Sequence, residues 1–219
     1  MLFGQDCFGE TISNLEKPKF FKDRAQSARN LFILGQVYRE ENRIDSSNAV
    51  FDALSYMKNI PQKYKVHATL ERAKNYSEAD STSVIVFALQ DLIEDRDNRE
   101  YLDELYYQAG LIAQKKGNLK NANLFYQNSV LYNTSKPYQK SLSYEKLGDL
   151  SFDAAKFEVS GAYYDSVLQI KQDVNTKRIR RIIAKNESLK DVIYYENLVT
   201  RNDSVLHIAA MPEEERQAF

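Results

Sequence analysis

The residues best suited to chemistry in this chain are two histidines, His67 and His207, one cysteine, Cys7, and a large supply of carboxylates. Their spacing builds no reactive site. The histidines are far apart and have no second ligand nearby in sequence, so a zinc site of any ordinary kind is not expected. A single cysteine rules out an intramolecular disulfide and thiol metal sites of the CxxC kind. The acids fall in runs, Glu94-Asp95-Arg96-Asp97 and Glu213-Glu214-Glu215, which suit solvated helix ends and mark no paired acid and base. No phosphate loop, GxGxxG or GxSxG motif occurs. The expectation is a protein that is not an enzyme and uses no cofactor or metal.

The sharpest charge cluster is Lys177-Arg178-Ile179-Arg180-Arg181. It reads either as a solvated face with Ile179 buried, or as a docking patch in which Lys177, Arg178, Arg180 and Arg181 meet an acidic partner or anionic headgroups. A net charge of −1 argues against a nucleic-acid partner, which needs a basic excess. No apolar run approaches the roughly 20 residues that span a bilayer. The first seven residues lack the basic-then-apolar pattern of a signal peptide, and Cys7 lacks the small residues of a lipoprotein cleavage site. Pro212 followed by three glutamates reads as the first turn of a helix cut short, so the expectation is a fragment of a longer chain.

The elements that position these residues repeat. Leu31, Leu34, Gly35 and Tyr38 are followed by Ser47, twelve residues after the glycine, and Phe51, four further on. Tyr106, Ala109, Gly110 and Ala113 lead at the same spacing to Ala122 and Tyr126. Tyr144, Leu147, Gly148 and Ser151 lead to Ser160 and Tyr164. This is the tetratricopeptide pattern of a large residue, a Leu-Gly-like pair, then small-x-x-x-aromatic. Small residues let two helices approach, and the aromatic is expected to fill the space between successive pairs. Gly110 to Gly148 is 38 residues and Gly35 to Gly110 is 75, so a divergent unit is expected around Ala73. Its second helix would cover Val84–Glu94, with Ile85 and Leu89 in place of Ser47 and Phe51. Pro61 and Pro137, two periods apart, suit first helical turns, and Asn118 suits an N-cap after Gly117.

The chain has 7 Gly and 4 Pro among 219 residues, too few breakers for a turn-rich sandwich or barrel. The expected fold class is all-α, an α-solenoid of tetratricopeptide-like helix pairs in a right-handed superhelix. About four pairs of period about 38 would occupy residues 1–172, and 173–219 would form a truncated helical end unit. There Ser188 and Asp191 resemble a capping box, Val192, Ile193, Tyr195 and Leu198 continue an apolar face, and Asn202 or Asp203 could cap a last short helix. Tyr106, Tyr126, Tyr144 and Tyr164 fall at core positions. One step along the first helices, Phe32 and Gln36, Leu70 and Lys74, Tyr107 and Leu111, and Glu145 and Asp149 point to the concave side. Phe32, Gln36, Lys74, Tyr107, Leu111 and Asp149 are therefore candidates for protein binding, Tyr107 as an aromatic anchor. The Lys/Asn clamp that some arrays use for a peptide carboxylate is missing, since Phe32 and Gln36 stand there.

Several segments carry a family resemblance. They are Arg29–Tyr38, Asp95–Asn98 running into Leu105–Gly110, Ala162–Val167, and above all Asn202–Arg216 with its Leu206-His207-Ile208-Ala209-Ala210-Met211-Pro212 core. In that order they resemble the tetratricopeptide lipoproteins of Bacteroidota gliding motility and type IX secretion, the SprE/PorW type. The resemblance implies a periplasmic, outer-membrane-associated scaffold whose partners are secretion translocon and motor components. It implies no catalytic residue, and membrane attachment only through a lipid anchor that this fragment lacks. The Asp-Ser triplets at Ser81, Ser166 and Ser204 fit the short O-glycosylation motif of these bacteria. The alternative is the sensor portion of a signalling protein that regulates an attached kinase or DNA-binding domain.

Overall fold

The structure is a computed structural model that describes residues 23–76, 82–133, 135–170 and 176–217. Cys7 and Ser81 lie outside them. Every regular element described is helical. Helices α1 (Arg24–Glu40) and α2 (Ile44–Ser55) form a first antiparallel pair, and α3 (Gln62–Lys74) and α4 (Thr82–Glu94) a second. A 3-10 turn, Arg96–Tyr101, leads into α5 (Leu102–Lys115), which pairs with α6 (Leu119–Leu131). Helices α7 (Pro137–Asp153) and α8 (Phe157–Gln169) form the next pair, followed by the long α9 (Lys177–Ala210) and the short α10 (Glu213–Gln217). The contacts divide the chain into two compact units, Met1–Thr134 and Ser135–Phe219.

Local chemistry sets the helix ends. The Asp23 carboxylate accepts the Ala25 N–H at 2.8 Å, and the Asn118 side chain accepts that of Asn121 at 3.1 Å, each an N-cap. Pro137 opens α7 where no N–H is needed, and Pro61 stands just before α3. The turn inside three pairs is one structure repeated. A residue in the left-handed region, Asn42, Gly117 or Ala155, has φ of 59°, 73° or 55°. The next N–H then returns to a carbonyl five residues back, Arg43 to Tyr38, Asn118 to Ala113 and Lys156 to Ser151, at 2.8–2.9 Å. This is the Schellman closure, and only Gly117 meets it without a Cβ penalty.

The repeat residues close each regular pair by one device. An ideal Cβ on Gly35 would lie 2.6 Å from the Phe51 ring, on Gly110 2.5 Å from Tyr126, and on Gly148 2.6 Å from Tyr164. The ring thus lies flush on the glycine of its own pair. Its other side fills the space to the next element, as the sequence suggested: Phe51 clusters with Ala68 and Tyr64 of α3, and Tyr164 with Ile179 and Ile182 of α9. The small residue four positions earlier faces the same glycine: Ser47 Oγ donates to the Gly35 carbonyl at 2.8 Å, and Ser160 Oγ to that of Gly148 at 2.9 Å. Tyr126 and Tyr164 are fully buried, whereas Tyr106 and Tyr144 are only half-buried, so not every tyrosine of the pattern is core. In the divergent pair Ala73 takes the glycine position and Leu89 the ring position, and both are buried with Ile85 in one cluster.

The C-terminal expectation needs a larger correction. No break falls at Ser188 or Asp203, and α9 runs unbroken for 34 residues. Ser188 Oγ bonds back to the Ala184 carbonyl at 2.9 Å instead of capping. Between Lys177 and Ala210 there is no glycine or proline to stop a helix once started. The N-terminal half of α9 packs on α8, with Ile179, Ile182 and Leu189 buried beside Tyr164 and Val167. The pattern change near 172 therefore falls inside the second unit.

Candidate functional site

In the first unit the first helices of the pairs bring an aromatic row together. The Phe32 ring lies 5.8 Å from Phe51, 6.3 Å from Tyr64 and 6.4 Å from His67. His67 in turn meets the edge of Tyr101 at 5.5 Å, and its Nδ1 is 3.6 Å from the Glu104 carboxylate. Phe32, Tyr64, His67 and Tyr101 are all half-buried, so each ring is fixed from behind and open in front. Burial first, then the hydrogen bond and charge of Glu100, push the Tyr101 hydroxyl up to about 12, so it stays protonated at neutral pH. Such a row presents rigid apolar area edged by polar groups, the composition of interface anchors.

The sequence candidates are distributed unevenly over this face. Phe32 belongs to the row. Tyr107 stands 5.8 Å from the Tyr126 ring and is half-buried, as are Gln36 and Leu111. Lys74 is exposed, but its ammonium is 2.7 Å from the buried carboxylate of Glu71, which also takes Arg39 of α1. Burial would push Glu71 up, yet the hydrogen bonds and charges of Lys74 and Arg39 outweigh it and hold the carboxyl below its usual range. Tyr64 and Tyr101 are site residues that sequence reasoning missed. Tyr64 and His67 share a helix face at i, i+3, and that spacing beside the Phe32 position was the available signal.

In the second unit the basic cluster divides. Arg178 and Arg181 both bind the buried Glu145 carboxylate of α7, and Arg178 also donates to Ser141 Oγ at 2.6 Å. Two of the four cations of the expected docking patch thus hold α9 to α7. Lys177 and Arg180 are exposed and make no ion pair among the described residues. Asp149 is likewise engaged: it accepts from the Tyr164 hydroxyl at 2.7 Å and from Lys185 at 2.6 Å. Burial and Asp149 push Tyr164 up to about 12. Burial alone would lower Lys185, but the bond to Asp149 raises it overall. Of the Asp-Ser motifs described, Ser204 is exposed and Ser166 half-buried.

A groove of about 580 Å³ opens where α4, α5 and α6 meet. Leu89, Ile93, Tyr106, Ile112 and Phe125 line it, with Asn121 and Asn128 at the rim. Among the described residues no cluster of His, Cys, Asp or Glu could hold a metal ion, and no helix is long and apolar enough to cross a membrane.

The fold and this packing define a tetratricopeptide-like helical repeat protein. The structure is similar to the crystal structure of BtubC (BKLC) from P. vanneervenii, with a TM-score of 0.69 at 8% identity over 94% of this chain and 91% of that one. It is also similar to the crystal structure of MamA, with a TM-score of 0.51 at 16% identity over 75% of this chain and 89% of that one. Both are tetratricopeptide-like repeat proteins, and at these identities the likeness is one of fold. No family model matches the chain, and no curated protein matches its sequence.

Proposed function

We propose that this chain is a non-enzymatic scaffold that holds another protein on the first-helix face of its first unit. The carrying observation is the row of half-buried rings, Phe32, Tyr64, His67 and Tyr101, fixed on packed helices with Glu104 beside it. Rings held in this way lose little freedom on binding, and that is how a helical surface gains affinity. The machine it serves, on our reading, is the type IX secretion and gliding apparatus. There it would link translocon and motor from the periplasmic side of the outer membrane, with the parent protein carrying the lipid anchor. What supports that assignment is the ordered resemblance of Arg29–Tyr38, Leu105–Gly110, Ala162–Val167 and Asn202–Arg216.

The test is affinity purification of the tagged full-length parent from its own cell envelope, with and without Tyr101→Ala and Tyr107→Ala. Recovery of translocon or motor components by the parent, reduced at least tenfold by the substitutions, supports the proposal. Recovery of a response regulator or other cytoplasmic proteins instead favours the signalling-sensor reading.

A further inference from the structure

Helix α9 changes character halfway along. Ile179, Ile182, Leu189 and Ile193 face the α7–α8 pair. From Tyr194 to Ala210 every residue except Ile208 is exposed. This exposed half is not polar. Val192, Tyr195, Val199, Asn202 and Leu206 follow one another at steps of three and four, with Leu198 and Val205 widening the stripe. The six apolar members are between 39% and 66% exposed. A helix with such a face is marginal in water unless something covers it.

The spacing says what kind of surface covers it. Steps of three and four repeat every 3.5 residues, here over two heptads, the period of a seam between two helices wound around each other. A helix lying on lipid would carry Lys and Arg along its flanks. Here Lys190 and Arg201 are outnumbered by Asp191, Glu196 and Asp203. The stripe from Val192 to Leu206 contains no charge, so nothing in it selects a charged partner over a copy of itself.

We propose that a second copy of this chain covers the stripe, α9 pairing with α9 along Val192–Leu206. Side chains of this size at those exposures offer roughly 600 Å² per copy, so a pair would bury about 1,000–1,200 Å², the lower bound of a stable interface. Asn202, the fourth of the five stripe positions, is neutral, and in an in-register parallel pair its amide would meet that of the other copy, donor to acceptor. The packing of α9 on α7 and α8 uses other residues, Ile179, Ile182 and Leu189 among them, and stays intact in the dimer.

Sedimentation equilibrium of the full chain tests this from about 1 to 100 μM. The wild type is expected to reach twice the monomer mass within that range. Val199→Asp with Leu206→Glu is expected to stay monomeric throughout, with an unchanged circular-dichroism spectrum because both sites are exposed. Tyr195→Ser alone should weaken the dimer about tenfold. Val159→Asp, at an exposed apolar site on α8, should leave it unchanged. A monomeric wild type would overturn the proposal, as would a dimer that survives the double substitution. A monomer whose stripe instead binds anionic vesicles or a basic amphipathic peptide would overturn it as well.

Discussion

Three helix pairs, α1–α2, α5–α6 and α7–α8, close with an aromatic ring laid on a glycine, while α3–α4 closes with Leu89 and Ala73. The regular pairs bring two backbones as close as a flat ring allows, and any Cβ at the glycine would enter that ring. In the divergent pair an aliphatic side chain meets a methyl group, and α4 packs more loosely on its neighbours. The groove of about 580 Å³ opens beside that helix. A repeat can therefore lose its tight contact and stay folded, because a neighbour on each side still buries its core. The cost is local looseness, and the looseness is where a cavity appears.

The comparison breaks most readily at a glycine. Gly110→Leu should destabilise the chain by about 3 kcal/mol in urea titration, because the Tyr126 ring is fully buried and cannot move aside. Ala73→Gly should cost only about 1 kcal/mol, the backbone entropy of a helical glycine. Similar losses at the two sites would mean that the ring contact is not special. The turns give a smaller effect. Ala155→Gly should stabilise by about 1 kcal/mol, and Gly117→Ala should destabilise by the same amount, since both positions are left-handed. A melting temperature lowered by Ala155→Gly would contradict the shared turn geometry.

The pH dependence should be opposite in sign at the two ends of the scale. Glu71 is held below its ordinary 4.5, so its contribution is present above that value and is lost as pH falls through the folded pKa. Tyr164 is raised from 10.0 to about 12, so its contribution is present below 10 and is lost as pH rises toward 12. Lys185, also raised, adds loss in the same alkaline direction. Denaturant midpoints measured across pH should fall at both ends. Tyr164→Phe, which copies Phe51 of the first pair, should reduce the alkaline fall, and an undiminished fall would contradict the assignment.

The repeat was legible because its chemistry is local. A small residue at a fixed step from an aromatic reports a close helix contact without knowledge of the rest of the fold, and Gly35, Gly110 and Gly148 all lie where that rule put them. Even the divergent pair was visible, since Ile85 and Leu89 kept the period. The fate of charged residues was not legible. Arg178 and Arg181 looked like a surface patch because their partner Glu145 lies more than thirty residues earlier, and Asp149 looked exposed because Lys185 is equally distant. The aromatic row was half-visible: Phe32 fell to the spacing rule, whereas Tyr101 enters from a 3-10 turn that no helical period describes. The unbroken α9 was missed because Ser188 and Asp203 are capping residues by type, and each can equally sit inside a helix.

The central claim is that ring and glycine act as one unit, and a double-mutant cycle on Gly110 and Tyr126 tests it most directly. Gly110→Ala adds a methyl group inside the ring contact, and Tyr126→Leu removes the ring together with its 2.8 Å bond to Gln114. Together they rebuild the Ala73–Leu89 solution of the divergent pair. The double variant should be more stable than the sum of the singles predicts by about 1–2 kcal/mol. Additivity within about 0.5 kcal/mol would contradict the account.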